Sequence, residues 1–211
     1  MGHDSGTEPG SSFAFNNRQA EIDFGYRAVH LTVMAGKTLV GSYYQQAPEY
    51  SYFEGCSTGG REGLMEAQRY PGDFDGIVAG APAYAYQALN AAGTWHLQRI
   101  FRDNLIGNLA VDTNGDGSYD SLNLLEVLNK QVLGSCDAND GIVDGVINDP
   151  ASCEFDPEQD LADLMCPTSQ GTDSCFTGPQ IETISDFYTG PRDDNGVQIY
   201  PGKLRGSEMR W

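Results

Sequence analysis

Hydrophobic positions change their spacing along the 211 residues. From Arg18 to Tyr44, Ile22, Tyr26, Val29, Val33, Gly36 and Val40 recur at three- and four-residue intervals, while Arg27, Lys37 and Thr38 fall largely elsewhere. That period predicts one long helix. His30 lies beside the stripe and reads as a structural histidine. Pro48 punctuates the segment that follows. Tyr50 to Gly55, rich in Tyr and Phe, predicts a strand. Residues 61–69 predict a helix ended by Pro71-Gly72, and residues 75–80 a short buried strand running into Ala81-Pro82-Ala83. The order helix, strand, helix, strand indicates an α/β class with parallel strands under helices, although two or three strands make only a partial sheet. After about Ala91 the texture changes. Amphipathic helices are expected at 95–101, at 122–133 (with Leu122, Leu125, Leu128 and Val132 on one side) and at 180–188, joined by Asp-, Gly- and Asn-rich loops. Regular structure is sparse beyond about 150, and Trp211 ends no recognisable element. Residues 1–90 therefore read as a partial core and residues 91–211 as a lid or insertion of helix and loop.

The junction between the first strand and the helix after it carries the chemistry. Gly55-Cys56-Ser57-Thr58-Gly59 is a G-x-S-x-G turn between strand and helix, the context of a nucleophile elbow. Gly at both flanks lets strand and helix approach, and the helix N-terminus aims backbone N–H groups at a developing oxyanion. Ser57 Oγ would attack an ester carbonyl, with the Thr58 N–H as oxyanion donor. Arg61 and Glu62 are expected to pair or cap locally. A serine of this kind needs a histidine base later in the chain. Only His96 follows Ser57, 39 residues on, at the start of the lid, and it makes a poor candidate. His3 and His30 precede Ser57, and His3-Asp4 reads as polar loop surface. The triad is thus incomplete within these residues.

The net charge of −18 (30 acidic and 12 basic residues) argues against nucleic acid, which needs a basic footprint. Five basic and ten acidic side chains lie in residues 1–90, seven and twenty in residues 91–211. No apolar run is long enough for a membrane span. The N-terminus is polar and glycine-rich, with no signal peptide, and reads like the middle of a loop, so Met1 is expected not to be the natural start. Four of the five cysteines, Cys136, Cys153, Cys166 and Cys175, fall in the acidic half with spacings that suit two local loops closed by disulfides in an oxidising compartment. Cys56 is left over, either as a buried free thiol or with a partner outside the chain.

Within the acidic half, Asp137, Asp140 and Asp144 alternate with glycines between Cys136 and Cys153. Carboxylate and carbonyl oxygens in that arrangement can wrap one hard cation and suit calcium better than zinc. A Cys136–Cys153 bridge would reduce the entropy of the apo loop by about 3 kcal/mol. An acidic loop without metal is the alternative. Asp112-Thr-Asn114-Gly-Asp116-Gly117-Ser118-Tyr-Asp120 matches the first half of an EF-hand-type loop, but Asn123 stands at the twelfth position, so a capped turn is favoured over a second calcium.

Three stretches together resemble the tannase and feruloyl esterase family: residues 23–30 (DFGYRAVH), residues 52–69 (YFEGCSTGGREGLMEAQR) and residues 73–83 (DFDGIVAGAPA). The Cys136–Cys153 pattern resembles that family's calcium site in the lid. The resemblance implies a partial α/β-hydrolase core with an inserted lid, Ser57 as nucleophile and Thr58 N–H as one oxyanion donor. It implies structural calcium held by the Asp137, Asp140 and Asp144 side chains with the Ile142 and Val146 carbonyls. It also implies a second lid bridge, Cys166–Cys175, and a bridge from Cys56 to a cysteine outside the chain. The acid and histidine of the family come after the lid.

Members cleave esters of hydroxycinnamic or gallic acid, and one branch cleaves mono(2-hydroxyethyl) terephthalate. The expectation is a serine esterase of small aromatic esters, secreted or periplasmic, with no nucleic-acid or membrane partner. The chain is expected to be an internal fragment with negligible activity alone. The alternative from another class is a calcium-stabilised, non-catalytic interaction module.

Overall fold

The helical spacing after Asn17 produces a continuous run that is not uniform. Helix α1 (Arg18–Ile22) starts where the Asn17 side chain accepts the Ala20 N–H at 3.2 Å. It passes into one π-helical turn, Asp23–Arg27, where the Ala28 N–H reaches back five residues to the Asp23 carbonyl, and then into α2 (Ala28–Tyr44). The expected stripe is half-buried at Val29 and Val33, but no residue of α2 is fully buried, and Leu31, Met34, Leu39, Tyr43 and Tyr44 are exposed. The apolar period of α2 is therefore a helix signal without being a continuous core face, because the small sheet and one helix beside it offer too little surface to cover it. The computed structural model describes residues 12–101, 106–110, 112, 116, 121–169 and 171–211. The chain divides into two units, Met1–Tyr86 and Gln87–Trp211.

In the first unit, β1 (Tyr52–Cys56) and β2 (Gly76–Gly80) pair in parallel, in register from Tyr52 with Gly76 to Cys56 with Gly80. Helix α3 (Thr58–Arg69) is the crossover that a parallel pair requires. Asp75 sets the start of the pairing: its carboxylate accepts the Ser51 N–H at 2.7 Å while its own N–H donates to the Ser51 carbonyl at 2.7 Å. Phe53 from β1 and Ile77 from β2 both press on Gly63 of α3, so the helix packs on one face of the pair. The result is helix-rich α/β structure around a two-stranded sheet.

The second unit contains α4 (Tyr86–Phe101, whose first residue belongs to the first unit), α5 (Asn123–Cys136), α6 (Pro157–Asp160) and α7 (Gly178–Thr189), with short 3-10 turns between them. Its core is built on α5, where Leu124, Leu125, Leu128 and Val132 are buried, against Phe155, Leu161, Phe176, Ile181, Ile184 and Tyr188. Each fully buried Leu or Phe contributes about 2 kcal/mol of apolar transfer. Thr177 and Gln180 form a capping box, so α7 starts two residues before the apolar period alone suggests.

Two disulfides tie the loops, Cys136–Cys153 and Cys166–Cys175, with Cα separations of 5.4 and 5.0 Å. Trp211 departs from expectation. It follows a 3-10 turn, Glu208–Arg210, and its ring packs on Phe187 and Tyr188 at 5.2 and 5.1 Å. Among the described residues, no helix is long and apolar enough to cross a membrane.

Candidate active site

Strand β1 delivers Ser57 to the first turn of α3 in a conformation that few side chains adopt. Its φ is 61° and its ψ −115°. Such backbone costs on the order of 1–3 kcal/mol and persists only where the surroundings enforce it. The enforcement is visible: the Ser57 N–H donates to the Gly80 carbonyl at 3.0 Å, and the Ser57 carbonyl accepts the N–H groups of Arg61 at 3.1 Å and Ala83 at 3.2 Å. Cys56, Ser57 and Thr58 are exposed. Thr58 is the first helical residue, where a helix has no internal acceptor for the N–H, so that donor is available to an oxyanion.

The glycines divide by role. A Cβ on Gly55 would sit 2.6 Å from the Gly59 carbonyl group, and one on Gly60 would overlap the Gly80 oxygen and reach Pro82 Cα at 2.9 Å. A Cβ on Gly59, the last position of the motif, would meet nothing within 4 Å. The close approach expected of the flanking pair is thus made by Gly55 and Gly60.

Arg61 does not pair locally as expected. Its guanidinium, 7% exposed, donates to the carbonyls of Phe24 at 3.1 Å and Gly25 at 3.3 Å and stacks on the Phe24 and Tyr86 rings at 4.7 and 5.3 Å. Both carbonyls belong to the π turn, so the first turn of α3 is anchored to the irregular part of the preceding helix. No local sequence signal marks a partner 36 residues away.

Further along α3, Glu66 is 1% exposed. Neither of its oxygens meets an N–H or O–H donor, and its carboxyl lies against that of Asp73. Burial first, then the Asp73 charge, pushes the Glu66 carboxyl up to about 7. His30 Nδ1 meets Asp73 Oδ2 at 2.6 Å, and its ring stacks on Tyr70 at 3.8 Å. His30 therefore has a partner within the first unit, in line with a structural role. Neither Glu66 nor Asp73 stands out by sequence spacing.

His96 belongs to the second unit, where its ring lies 4.5 Å from that of Phe187 and its Nε2 is buried without a partner. Burial and then the Lys203 charge hold it below the usual histidine range.

The acidic loop is closed by the Cys136–Cys153 bridge. Asp137, buried, accepts the Gly145 N–H with both oxygens at 3.1 Å; Asp140 accepts the Ile142 N–H at 2.9 Å and the Asn148 amide; Asp144 accepts the Val146 N–H at 3.1 Å. The Ile142 N–H and the Asn148 amide hold the Asp140 carboxyl below its ordinary value. Among the described residues, the trio of His, Cys, Asp or Glu whose ligand atoms converge within 4.8 Å is His30, Glu66 and Asp73; the three loop carboxylates do not form such a group. Of the 112–120 loop only Asp112 and Asp116 are described, and His3-Asp4 lies outside the described residues. Cys56 is a free, exposed thiol in this chain, not a buried one.

Residues 1–211 match the family model described as tannase and feruloyl esterase. An uncharacterised esterase of Xanthomonas campestris pv. campestris is 39% identical over 193 residues, covering 91% of this chain and 31% of the relative. Feruloyl esterase B of Aspergillus niger is 36% identical, covering 98% of this chain and 36% of the relative. The crystal structure of feruloyl esterase B from Aspergillus oryzae superposes with a TM-score of 0.75 at 33% identity, over 92% of this chain and 36% of that one. The tannin acyl hydrolase of Aspergillus niger, at 24% identity and a TM-score of 0.63, shares the fold. The chain spans about a third of the length of these relatives. With its whole length matched and its elbow built on a strand, a turn and a helix, the chain belongs to the tannase and feruloyl esterase family.

Proposed function

We propose that the whole protein is a serine carboxylic ester hydrolase of small aromatic esters, feruloyl or galloyl in type, and that this chain supplies the nucleophile from a partial α/β-hydrolase core together with part of a lid. The observation that carries the reading is Ser57 held at a φ of 61° between a parallel strand and a helix. In the proposed reaction Ser57 Oγ attacks the ester carbonyl, the Thr58 N–H stabilises the oxyanion, the alcohol leaves, and water releases the acid from the acyl-enzyme. A histidine assisted by an acid takes the serine proton and returns it to the leaving alcohol. His96 is half-buried in the second unit, with its ring on Phe187 and its Nε2 without a partner, and the family pattern puts base and acid after the lid.

We further propose that structural calcium binds the loop between Cys136 and Cys153, through the Asp137, Asp140 and Asp144 carboxylates and the Ile142 and Val146 carbonyls. The all-oxygen donor set fits a hard cation. Each of these carboxylates accepts a backbone N–H and keeps further lone pairs that a cation could take. The two bridges fit an oxidising compartment, which supports a secreted or periplasmic location.

Hydrolysis of a feruloyl and a galloyl ester by the whole protein, compared with its Ser57→Ala variant, tests the reading. Loss of turnover in the variant is expected, and turnover retained by Ser57→Ala overturns it. Labelling of Ser57 by a fluorophosphonate separates an esterase from a calcium-stabilised module without catalysis.

A further inference from the structure

Glu66 presents a charge problem, eased in part by the His30 ring, whose nitrogen lies within 4.8 Å of both its carboxyl and that of Asp73. The Glu66 carboxyl is dry, meets no N–H or O–H donor, and lies against the Asp73 carboxyl. Two carboxylates in contact cannot both ionise at low cost, because neither charge is hydrated and each raises the energy of the other. The charged and titratable groups facing Glu66 are few. From α2 come His30, which contacts Asp73 at 2.6 Å, and Lys37, whose ammonium donates to the Asp73 backbone carbonyl and not to a carboxylate. From the loop after α3 come Asp73 and Tyr70, whose ring stacks on His30. Glu62 faces it from α3 itself, and β2 has no titratable side chain.

We propose that Glu66 and Asp73 hold one proton between them, Glu66 donating and Asp73 accepting, and that this contact, extended by His30 to Asp73, seats the helix that carries Ser57. The cluster joins three segments, α2 through His30, α3 through Glu66 and the α3–β2 connection through Asp73. With Arg61 anchoring the first turn of α3 to the π turn, the helix is held at two heights, and the lower hold depends on a proton. Glu66 is then a positioning residue for Ser57, nine positions along the same helix, and touches no reacting atom. The positioning role rests on reading Ser57 as the nucleophile; the shared proton does not.

The test uses the whole protein that contains these 211 residues. Infrared difference spectra at about pH 5.5, between the ordinary and the raised carboxyl values, should show a protonated carboxyl band. The band should disappear in Glu66→Gln and titrate at a different pH in His30→Ala. Asp73→Asn, which keeps a hydrogen-bonding partner for Glu66, should keep the band and move its midpoint. The rate of fluorophosphonate labelling of Ser57 in wild type, divided by that in Glu66→Gln, should be near one at about pH 5.5 and fall about tenfold by about pH 8, because the glutamine cannot ionise. Absence of the band at the lower pH, or a band unchanged in Glu66→Gln, overturns the shared proton. So does uptake of one equivalent of zinc that Glu66→Gln abolishes, since a cation would then occupy the trio. A labelling ratio flat with pH overturns the positioning role. Wild type left unlabelled at every pH overturns the reading of Ser57, with the infrared result standing by itself.

Discussion

The carbonyl oxygen of Gly80 accepts the Ser57 N–H at 3.0 Å and occupies the space that a Cβ on Gly60 would need. One atom at the end of β2 therefore fixes both the backbone of Ser57 and the identity of a residue in the first turn of α3. Gly60→Ala should destabilise the chain by about 1–3 kcal/mol through overpacking against backbone that cannot yield. Gly59→Ala, in open space on the same turn, should be neutral or stabilising by up to about 1 kcal/mol from helix propensity. Urea denaturation of the two variants checks the contrast.

Ser57 itself costs stability. Ser57→Gly should be more stable than Ser57→Ala by about 1 kcal/mol, since only glycine reaches a φ of 61° with a ψ of −115° without steric conflict. Both variants should lack esterase activity in the whole protein. Equal melting temperatures for the two would mean that the turn is not strained.

Glu66 gives the first unit a pH dependence of definite sign. Its carboxyl holds its proton up to about pH 7 in the folded chain, against 4.5 as the ordinary value. The folded state thus binds more protons than the unfolded state between those limits, so stability falls as pH rises from about 4.5 to about 7. The contribution is up to about 3 kcal/mol. Carboxyls held low, such as Asp23 beside Arg27 and Asp193 under the Val197 N–H, act in the opposite direction at lower pH. The difference between wild type and Glu66→Gln isolates the Glu66 share, and no change in slope between the two would contradict it.

Calcium should raise the melting temperature of the second unit, and chelator should reverse the gain. Asp140→Ala should remove the effect while leaving both disulfides intact. Calorimetry with calcium checks this, and binding undiminished in Asp140→Ala would place the cation elsewhere.

Glu208 is wholly buried and accepts the Tyr188 hydroxyl and the Asn129 amide, each at 2.7 Å, and the Gly206 N–H at 2.8 Å. Glu208→Ala leaves those three donors without an acceptor and should cost about 3 kcal/mol. A loss below about 1 kcal/mol by chemical denaturation would show that water replaces the carboxylate.

The turn at Ser57 was legible because its chemistry is local: strand, glycines and helix follow one another within a few residues. The Cys136–Cys153 loop was legible for the same reason. Arg61, Asp73 and Glu208 were not, because each is defined by a partner distant in sequence, and neither was Glu66, because a charged side chain carries no mark of its burial. Trp211 looked unattached because its contacts, Phe187 and Tyr188, lie on a helix more than twenty residues earlier. On α2 the period read correctly as helix and misled as to burial, since periodicity records which side chains share a face but not what covers that face.

The π turn at Asp23–Arg27 makes the length of this helix a functional variable. A π turn holds one residue more than an α turn, so deleting a single residue there would restore regular hydrogen bonding. The same deletion would remove the wide turn that presents the Phe24 and Gly25 carbonyls to Arg61. A one-residue deletion that improves the local helix should therefore loosen the first turn of α3, whereas a substitution at the same positions that keeps the backbone count should leave it in place.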